Sequence, residues 1–257
     1  MKAYLSSGTL KKQVEVQITG SKSESNRLLI LQAFYPNLTI DNLSNSDDTT
    51  VLHNGLLNNT TTIDIGHAGT AMRFLTAYFA SRKGAKITIT GSKRMQERPI
   101  GVLVDALMEL GAKITYLEND GFPPLEIEGE SILHPKVEIL ANTSSQYVTA
   151  LLLIAPSLEH GLQIELLGDI TSRSYIEMTL SLLQQIGIKT TFSDNCITVF
   201  PSEEIEDQTV IVESDWSSAS YFYSLVALSE ALSVTLKSYR INSLQGDAVI
   251  VDIYRQL

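Results

Sequence analysis

Short alternations of apolar and polar residues recur along the whole chain. The clearest are Val14-Val16-Ile18, Ile63-Ile65, Ile87-Ile89, Leu125-Ile127, Val137-Ile139, Ile164-Leu166, Ile197-Val199, Val210-Val212 and Val234-Leu236. A period of two marks a strand with one buried face. Between these stretches apolar residues recur at helical spacing. That spacing predicts helices near 25–35, 47–59, 70–83, 98–111, 145–155, 174–186, 218–231 and 247–257. Interleaved strands and helices give an α/β fold, or an α+β fold with mixed sheets.

The pattern repeats. Four loops of small polar residues each open an apolar helix: "GSKSESNRLLILQAF", "GHAGTAMRFLTAYFA", "ANTSSQYVTALLLIA" and "ESDWSSASYFYSLVA". The step from Ala68 to Asn142 is nearly the same as the step from Asn142 to Asp215, so the last three loops share one period. A second helix type alternates with the first, in "RPIGVLVDALMELGAKITY" and "RSYIEMTLSLLQQIGIKTTF". Each ends on a glycine, Gly111 or Gly187, which signals a helix C-cap with a strand directly after it. Hairpin-like material follows, as in "GFPPLEIEGE" and "SDNCITVFPS". Each unit therefore reads βαβαββ. The last copy, "DAVIVDIYRQL", carries no such glycine or returning strand, so the chain is expected to be part of a longer protein.

Composition narrows the chemistry. The 257 residues carry 29 Asp and Glu against 19 Lys and Arg, a formal net charge of -10. That excess argues against nucleic-acid or anionic-membrane binding. It leaves small anions open, since they respond to a local field. The single cysteine, Cys196, cannot form an intrachain disulfide and reads as a packed strand residue. The N-terminal stretch has no apolar signal-peptide core, and "ALLLIAP" is too short to span a bilayer. A soluble cytoplasmic protein is expected. The four histidines lack ligand spacing, so no metal site is expected.

Within this acidic chain, cations sit in the helix-start loops: Lys22 and Arg27 in the first, Arg73 after "GHAGTAM", Arg98 before "PIGVLVDAL", Arg173 in "TSRSY". A helix N-terminus carries free N–H groups and partial positive charge, so it attracts anions. Ser, Thr and Asn at such a place are, taken singly, more often simple caps. A cation there is unfavourable unless an anion compensates it, which marks Lys22 and Arg98 as ligand contacts. Arg73 and Arg173 fit inter-helix ion pairs equally well. "GHAGTA" lacks the P-loop pattern, so ATP binding is not supported.

"GSKSESNR", "AGTAMR", "RMQERPIG", "NTSSQ" and "SLQGD", in this order, resemble the 5-enolpyruvylshikimate-3-phosphate synthase family, from about Ser21 to the last residue. The resemblance implies the enolpyruvyl transferase fold, two domains of three βαβαββ repeats each, with the chain crossing between them twice. One complete domain would span 20–212, and 1–19 with 213–257 would be parts of the other. It implies transfer of enolpyruvyl from phosphoenolpyruvate to the 5-hydroxyl of shikimate 3-phosphate, on the route to chorismate and aromatic amino acids, with no metal or organic cofactor. By that likeness Lys22 contacts both substrates and assists proton transfer. Ser23, Arg27, Ser144, Ser145, Gln146, Ser172 and Tyr175 hold shikimate 3-phosphate. Gly69, Arg98 and Gln146 hold phosphoenolpyruvate. His67 departs from the Asn usual before Ala-Gly-Thr, Phe74 from the usual Pro, and "SRSY" from Ser-Lys-Pro-Tyr.

The family's catalytic Asp and Glu lie in a part absent here. The isolated chain is expected to be a monomer that binds substrate weakly without turnover. Two other readings stand beside this one. The related enzyme acting on a UDP-amino sugar would need Lys-Asn in the first loop and a loop cysteine, where this chain has Lys22-Ser23 and only Cys196. A non-catalytic anion-binding domain would not need Lys22, Arg27, Arg98, Ser144 and Gln146 together.

Overall fold

The computed structural model describes residues 12–57, 60–142 and 144–256. Residues 1–11 of the expected second-domain part, 58–59 of the second expected helix and Leu257 of the last lie outside the described residues.

The chain begins with β1 (Gln13–Gln17), α1 (Lys22–Phe34), β2 (Leu38–Asp41) and α2 (Asp47–Leu57). The next unit is β3 (Thr62–Asp64), α3 (Gly69–Ala80), β4 (Lys86–Thr90), the short α4 (Lys93–Gln96), α5 (Gly101–Glu109), β5 (Lys113–Tyr116) and β6 (Leu125–Glu128). A third comprises β7 (Lys136–Leu140), α6 (Ser145–Ile154), β8 (Leu162–Leu167), α7 (Arg173–Gln185), β9 (Thr190–Ser193) and β10 (Cys196–Val199). After β11 (Gln208–Ile211) come α8 (Trp216–Ala227), β12 (Ser233–Lys237) and α9 (Ile250–Gln256).

The two middle units have one topology. Their sheets run β3-β4-β6-β5 and β7-β8-β10-β9. In each the first pair is parallel and the other two are antiparallel. A parallel pair needs a crossover, and α3 and α6 supply it. The returning helices α5 and α7 end as the two glycines predict. Gly111 and Gly187 have φ of 106° and 90°. The N–H groups of Gly111 and Ala112 reach the carbonyls of Met108 and Leu107, and those of Gly187 and Ile188 reach Gln184 and Leu183. This double bond pattern turns the chain straight into the next strand.

The first-type helices form the centre. α3 is apolar on nearly all sides and buried along almost its whole length. It packs on α6 and α2, and α1 packs on α2, α6 and α7. The sheets cover this layer with their inward residues, such as Val137 and Ile139 of β7 and Leu162, Ile164 and Leu166 of β8. Burying one such Leu or Ile is worth about 2 kcal/mol.

The outer segments exchange strands. β1 pairs in parallel with β12, although α1 follows it. β11 takes the place beside β2, again in parallel. Where the two segments pass, Gly20 bridges Ser214. Ser21 donates its N–H to the Glu213 carbonyl at 2.8 Å, and Asp215 donates to Thr19 at 3.1 Å. Gly20 packs so closely on Val212 and the Asn42 carbonyl that no Cβ fits.

Two elements escape the sequence pattern. β2 offers only Leu38 and Ile40 as alternating apolar residues, and the partner that makes it a strand is β11, on the far side of both middle units in sequence. The helix expected from 98 begins at Gly101, and α4 precedes it. Arg98 therefore lies in a loop, and the helix-dipole argument made for it does not apply at α5.

α8 differs from its counterparts. Where α3 is almost wholly buried, α8 buries only Trp216 and Ala219. Beside it lies an apolar cavity of about 780 Å³, lined by Trp216, Phe222, Tyr223, Val226, Tyr239 and Tyr254 among others. Among the described residues no helix is long and apolar enough to cross a membrane.

Candidate functional site

Capping accounts for two of the four polar loops. Ser144 caps α6, its hydroxyl accepting from the Gln146 N–H at 3.3 Å. Asp215 caps α8, accepting from the Ser218 N–H at 2.6 Å. At α1 and α3 the residues before the helix, Ser21 and Ala68, make no side-chain cap. These two uncapped N-termini are the ones with cations beside them.

Arg27 lies one turn into α1 and is buried. Its Nε donates to Thr179 Oγ1 at 2.8 Å and its Nη1 to the Ser23 carbonyl at 2.7 Å. Its Nη2 donates to Thr149 Oγ1 at 3.3 Å and to the Tyr175 carbonyl at 3.4 Å. The guanidinium sits between the rings of Phe74 and Tyr175, 5.9 and 5.7 Å from their centroids. Burial pushes it down to about 10, which the Tyr175 hydroxyl and Glu24 only partly resist. None of the salt bridges among the described residues includes Arg27. Four of its five N–H groups are spent on the protein, and among the described residues the second Nη1 N–H has no named acceptor. The sequence reading gave Arg27 wholly to substrate; much of its work is joining α1, α6 and α7.

The second cluster forms around the start of α3. Arg98 lays its guanidinium over Gly69, where a Cβ would stand 2.7 Å from Nη2 and 2.8 Å from Cζ. Gln146 Nε2 reaches Thr70 Oγ1 at 3.4 Å. Arg73 is buried beneath. It donates from Nη1 to the Gly69 carbonyl at 3.1 Å and from Nη2 to the Pro99 carbonyl at 2.9 Å, and its Nε has no partner. The Tyr147 hydroxyl donates to the same Pro99 carbonyl at 2.8 Å. Burial lowers the Arg73 pKa, and the like charge of Arg98 lowers it further. None of the salt bridges among the described residues includes either guanidinium, and an arriving anion would relieve two like charges so placed.

The ion-pair expectations for Arg73 and Arg173 are corrected. Arg73 bonds the Gly69 and Pro99 carbonyls, and none of the salt bridges among the described residues includes it. Arg173 pairs with Glu177 one turn along its own helix, at 2.8 Å, and covers the Phe192 ring. Among the described residues neither forms an inter-helix pair.

The remaining positions lie around these clusters. Lys22 is the first residue of α1, exposed, and among the described residues no hydrogen bond or ion pair holds its ammonium. Ser23 is half-buried one position on. Ser145 is half-buried in the first turn of α6 and Ser144 is exposed. Ser172 is exposed in the left-handed region, at φ 55°, before α7. Tyr175 is half exposed against Arg27. α6 joins the two clusters, since Gln146 serves one and Thr149, three residues on, serves the other. The large cavity at Trp216 is remote from both in its lining residues and is not this site.

A family model described as EPSP synthase (3-phosphoshikimate 1-carboxyvinyltransferase) matches residues 50–257. The chain belongs to the EPSP synthase family. The 3-phosphoshikimate 1-carboxyvinyltransferase of Bacteroides fragilis strain YCH46 is 45% identical over 256 residues, covering 99% of this chain and 62% of that protein. The Histophilus somni strain 2336 protein of the same name is 37% identical over 274 residues, covering 95% and 63%. A solved EPSP synthase from Acinetobacter baumannii superposes with a TM-score of 0.79 at 19% identity, over 95% of this chain and 59% of that one, a likeness of fold. The chain spans about three-fifths of the length of these EPSP synthase relatives.

Sequence reasoning missed Thr149, Thr179, Tyr147 and Glu24. The first two were within reach: Thr149 follows Gln146 by three residues and Thr179 follows Tyr175 by four, so each pair shares a helix face. Glu24 gave no signal, since an acid in a first helical turn ordinarily faces solvent.

Proposed function

We propose that this chain carries the shikimate 3-phosphate side of an enolpyruvyl transferase site. The 5-hydroxyl oxygen of shikimate 3-phosphate bonds to C2 of phosphoenolpyruvate while C3 takes a proton. The tetrahedral adduct then expels phosphate and loses the C3 proton, giving the enolpyruvyl ether. Two anionic substrates meet a surface rich in unpaired cations. Arg27, through its free Nη1 N–H, and Ser23 take the carboxylate side of the shikimate ring, with Tyr175 against the ring. Ser144, Ser145 and Ser172 take the 3-phosphate. Arg98, over Gly69, and Gln146 take phosphoenolpyruvate, and Lys22 reaches both. The reading places the protein in aromatic amino acid biosynthesis, in the cytoplasm, as a monomer.

The observation that carries this reading is the packing of the exposed Arg98 over Gly69 beside Gln146, above the buried Arg73, whose Nε has no partner and which none of the salt bridges among the described residues includes. Calorimetric titration of the 257-residue chain with shikimate 3-phosphate tests it. Heat with one-to-one stoichiometry is expected, and its absence would refute the assignment.

For the domains we propose that 20–212 forms one three-unit domain, and that 1–19 with 213–257 belongs to another. The apolar flank of α8 supports this. In the relatives roughly 38% of the length lies beyond the matched part, which is close to two further units of the period that separates Ala68 from Asn142. Two such units would cover α8 as α1 and α6 cover α3.

A further inference from the structure

The first turn of α1 has no side-chain cap, yet it is firmly tied. Ser21 bonds the Glu213 carbonyl. Within the same turn Glu24 is completely buried. Its Oε1 accepts from Gln245 Nε2 at 3.1 Å, and its Oε2 from the Glu213 N–H at 3.4 Å. Gln245 also donates to the Ser214 carbonyl and accepts from the Trp216 N–H, both at 3.0 Å. The Glu213 carboxylate in turn accepts from Trp216 Nε1 at 2.8 Å, the Arg240 N–H at 2.9 Å and Ser243 Oγ at 2.7 Å. Three segments distant in sequence, 21–24, 213–216 and 240–245, therefore meet on two buried carboxylates and one amide.

We infer that Glu24 is a positioning residue for Lys22: a buried strut that fixes the first turn of α1 to the crossing segment 213–216 and to Gln245, so that the ammonium two residues away is presented to the anion site in one direction. The inference rests on the reading of Lys22 as a substrate contact. Both partners of Glu24 are donors, so the position calls for a group that only accepts, which an ionised carboxylate is. Leu of similar size would leave the Glu213 N–H unbonded in the interior. Gln would supply one acceptor in place of two. The series Glu, Gln, Leu should therefore grade the strut.

The test compares the wild-type chain with Glu24→Gln and Glu24→Leu. Hydrogen–deuterium exchange is read on peptides covering 18–26 and 211–217, and on peptides from β7 to β10 as control. Calorimetric titration with shikimate 3-phosphate reads the site. In Glu24→Leu both hydrogen bonds to the carboxylate are lost, though Gln245 Nε2 keeps the Ser214 carbonyl, so exchange should rise about tenfold in both crossing peptides and affinity should fall about tenfold. The control peptides should not change, and Glu24→Gln should fall between. Affinity of Glu24→Leu within twofold of wild type overturns the inference. So does faster exchange spread evenly over the chain, which would mean lost stability and not lost position. If Glu24→Leu does not fold, Glu24→Gln carries both readouts, with about threefold changes expected and none overturning. A wild-type chain that gives no heat with shikimate 3-phosphate refutes the substrate reading. Exchange then decides the strut alone: a change confined to the two crossing peptides keeps it, and anything else overturns it.

Discussion

Replacing Arg27 with Met would remove a buried charge and keep most of the side chain's length. The structure sets the scale. Burial depresses the guanidinium to about 10. Against its ordinary value this corresponds to about 3 kcal/mol of cost to the charged form. For a base with a depressed pKa, stability is present only above that range and is already lost at neutral pH, so the charge is a standing cost there. Four hydrogen bonds offset it at roughly 1 kcal/mol each. Their loss is softened because Thr149 and Thr179 bond each other at 3.4 Å, and Thr179 also bonds the Tyr175 carbonyl at 2.7 Å. The net change in folding stability should stay within about 2 kcal/mol.

Binding should respond far more strongly. An anion on the free Nη1 N–H turns an uncompensated buried charge into a pair, and truncating such a pair costs at least about 2 kcal/mol, roughly 30-fold in Kd. Urea unfolding and calorimetric titration with shikimate 3-phosphate, on wild-type and Arg27→Met chains, measure both numbers. Affinity within threefold of wild type would refute the ligand role. A stability loss beyond about 4 kcal/mol would also refute the reasoning, since the helix-joining bonds alone would then account for the arginine.

Gly69→Ala should displace the exposed Arg98 tip and leave folding within about 0.5 kcal/mol, while phosphoenolpyruvate affinity, titrated in the presence of shikimate 3-phosphate, falls about tenfold; unchanged affinity would count against Arg98 as the anion clamp. Ser172→Gly should relieve a left-handed backbone at φ 55° and raise the melting temperature by about 2–4 °C, yet weaken shikimate 3-phosphate binding, and a variant that gains on both counts would remove Ser172 from the phosphate site. The pKa of Glu24 is raised, chiefly through burial; Arg240, the Glu213 N–H and Gln245 oppose the shift and the Glu213 carboxylate reinforces it; Arg27, on the same helix, also faces it. An acid with a raised pKa stabilises the fold at low pH and loses that contribution as pH rises through the folded value. In urea unfolding from acid to neutral pH, Glu24→Gln should therefore gain ground on wild type as pH rises, and a constant difference would sink the argument.

The repeat made most of the fold legible. Periodicity of two and of 3.6 located the helices within a few residues, and Gly111 and Gly187 marked the turns into the strands. β2 was lost because a four-residue strand owes its existence to a partner that local pattern does not contain. The family resemblance, read from five motifs, is borne out by the matching family model and the relatives of the same name. The site was legible as residue types but not as roles. Motif order cannot show that Arg27 spends four N–H groups internally, that Arg98 serves the start of α3 and not its own helix, or that Ser144 caps α6. Those facts depend on burial and on which helices face each other, and both arise only in the assembled fold.

The strand exchange has a consequence for how the chain is made. β2, which ends at Asp41, waits for β11, which starts only at Gln208. β1, which ends at Gln17, waits for β12, which starts at Ser233. Among the described residues the strands from β3 to β6 and from β7 to β10 pair only within their own units. On a ribosome the middle of the molecule can therefore fold first, in sequence order, around short-range contacts. β1 and β2 emerge before these two units and are paired after them. Until 208–237 has been synthesised, β1 and the edge of β2 stay without their strand partners, and aggregation during synthesis should be sought at those two strands.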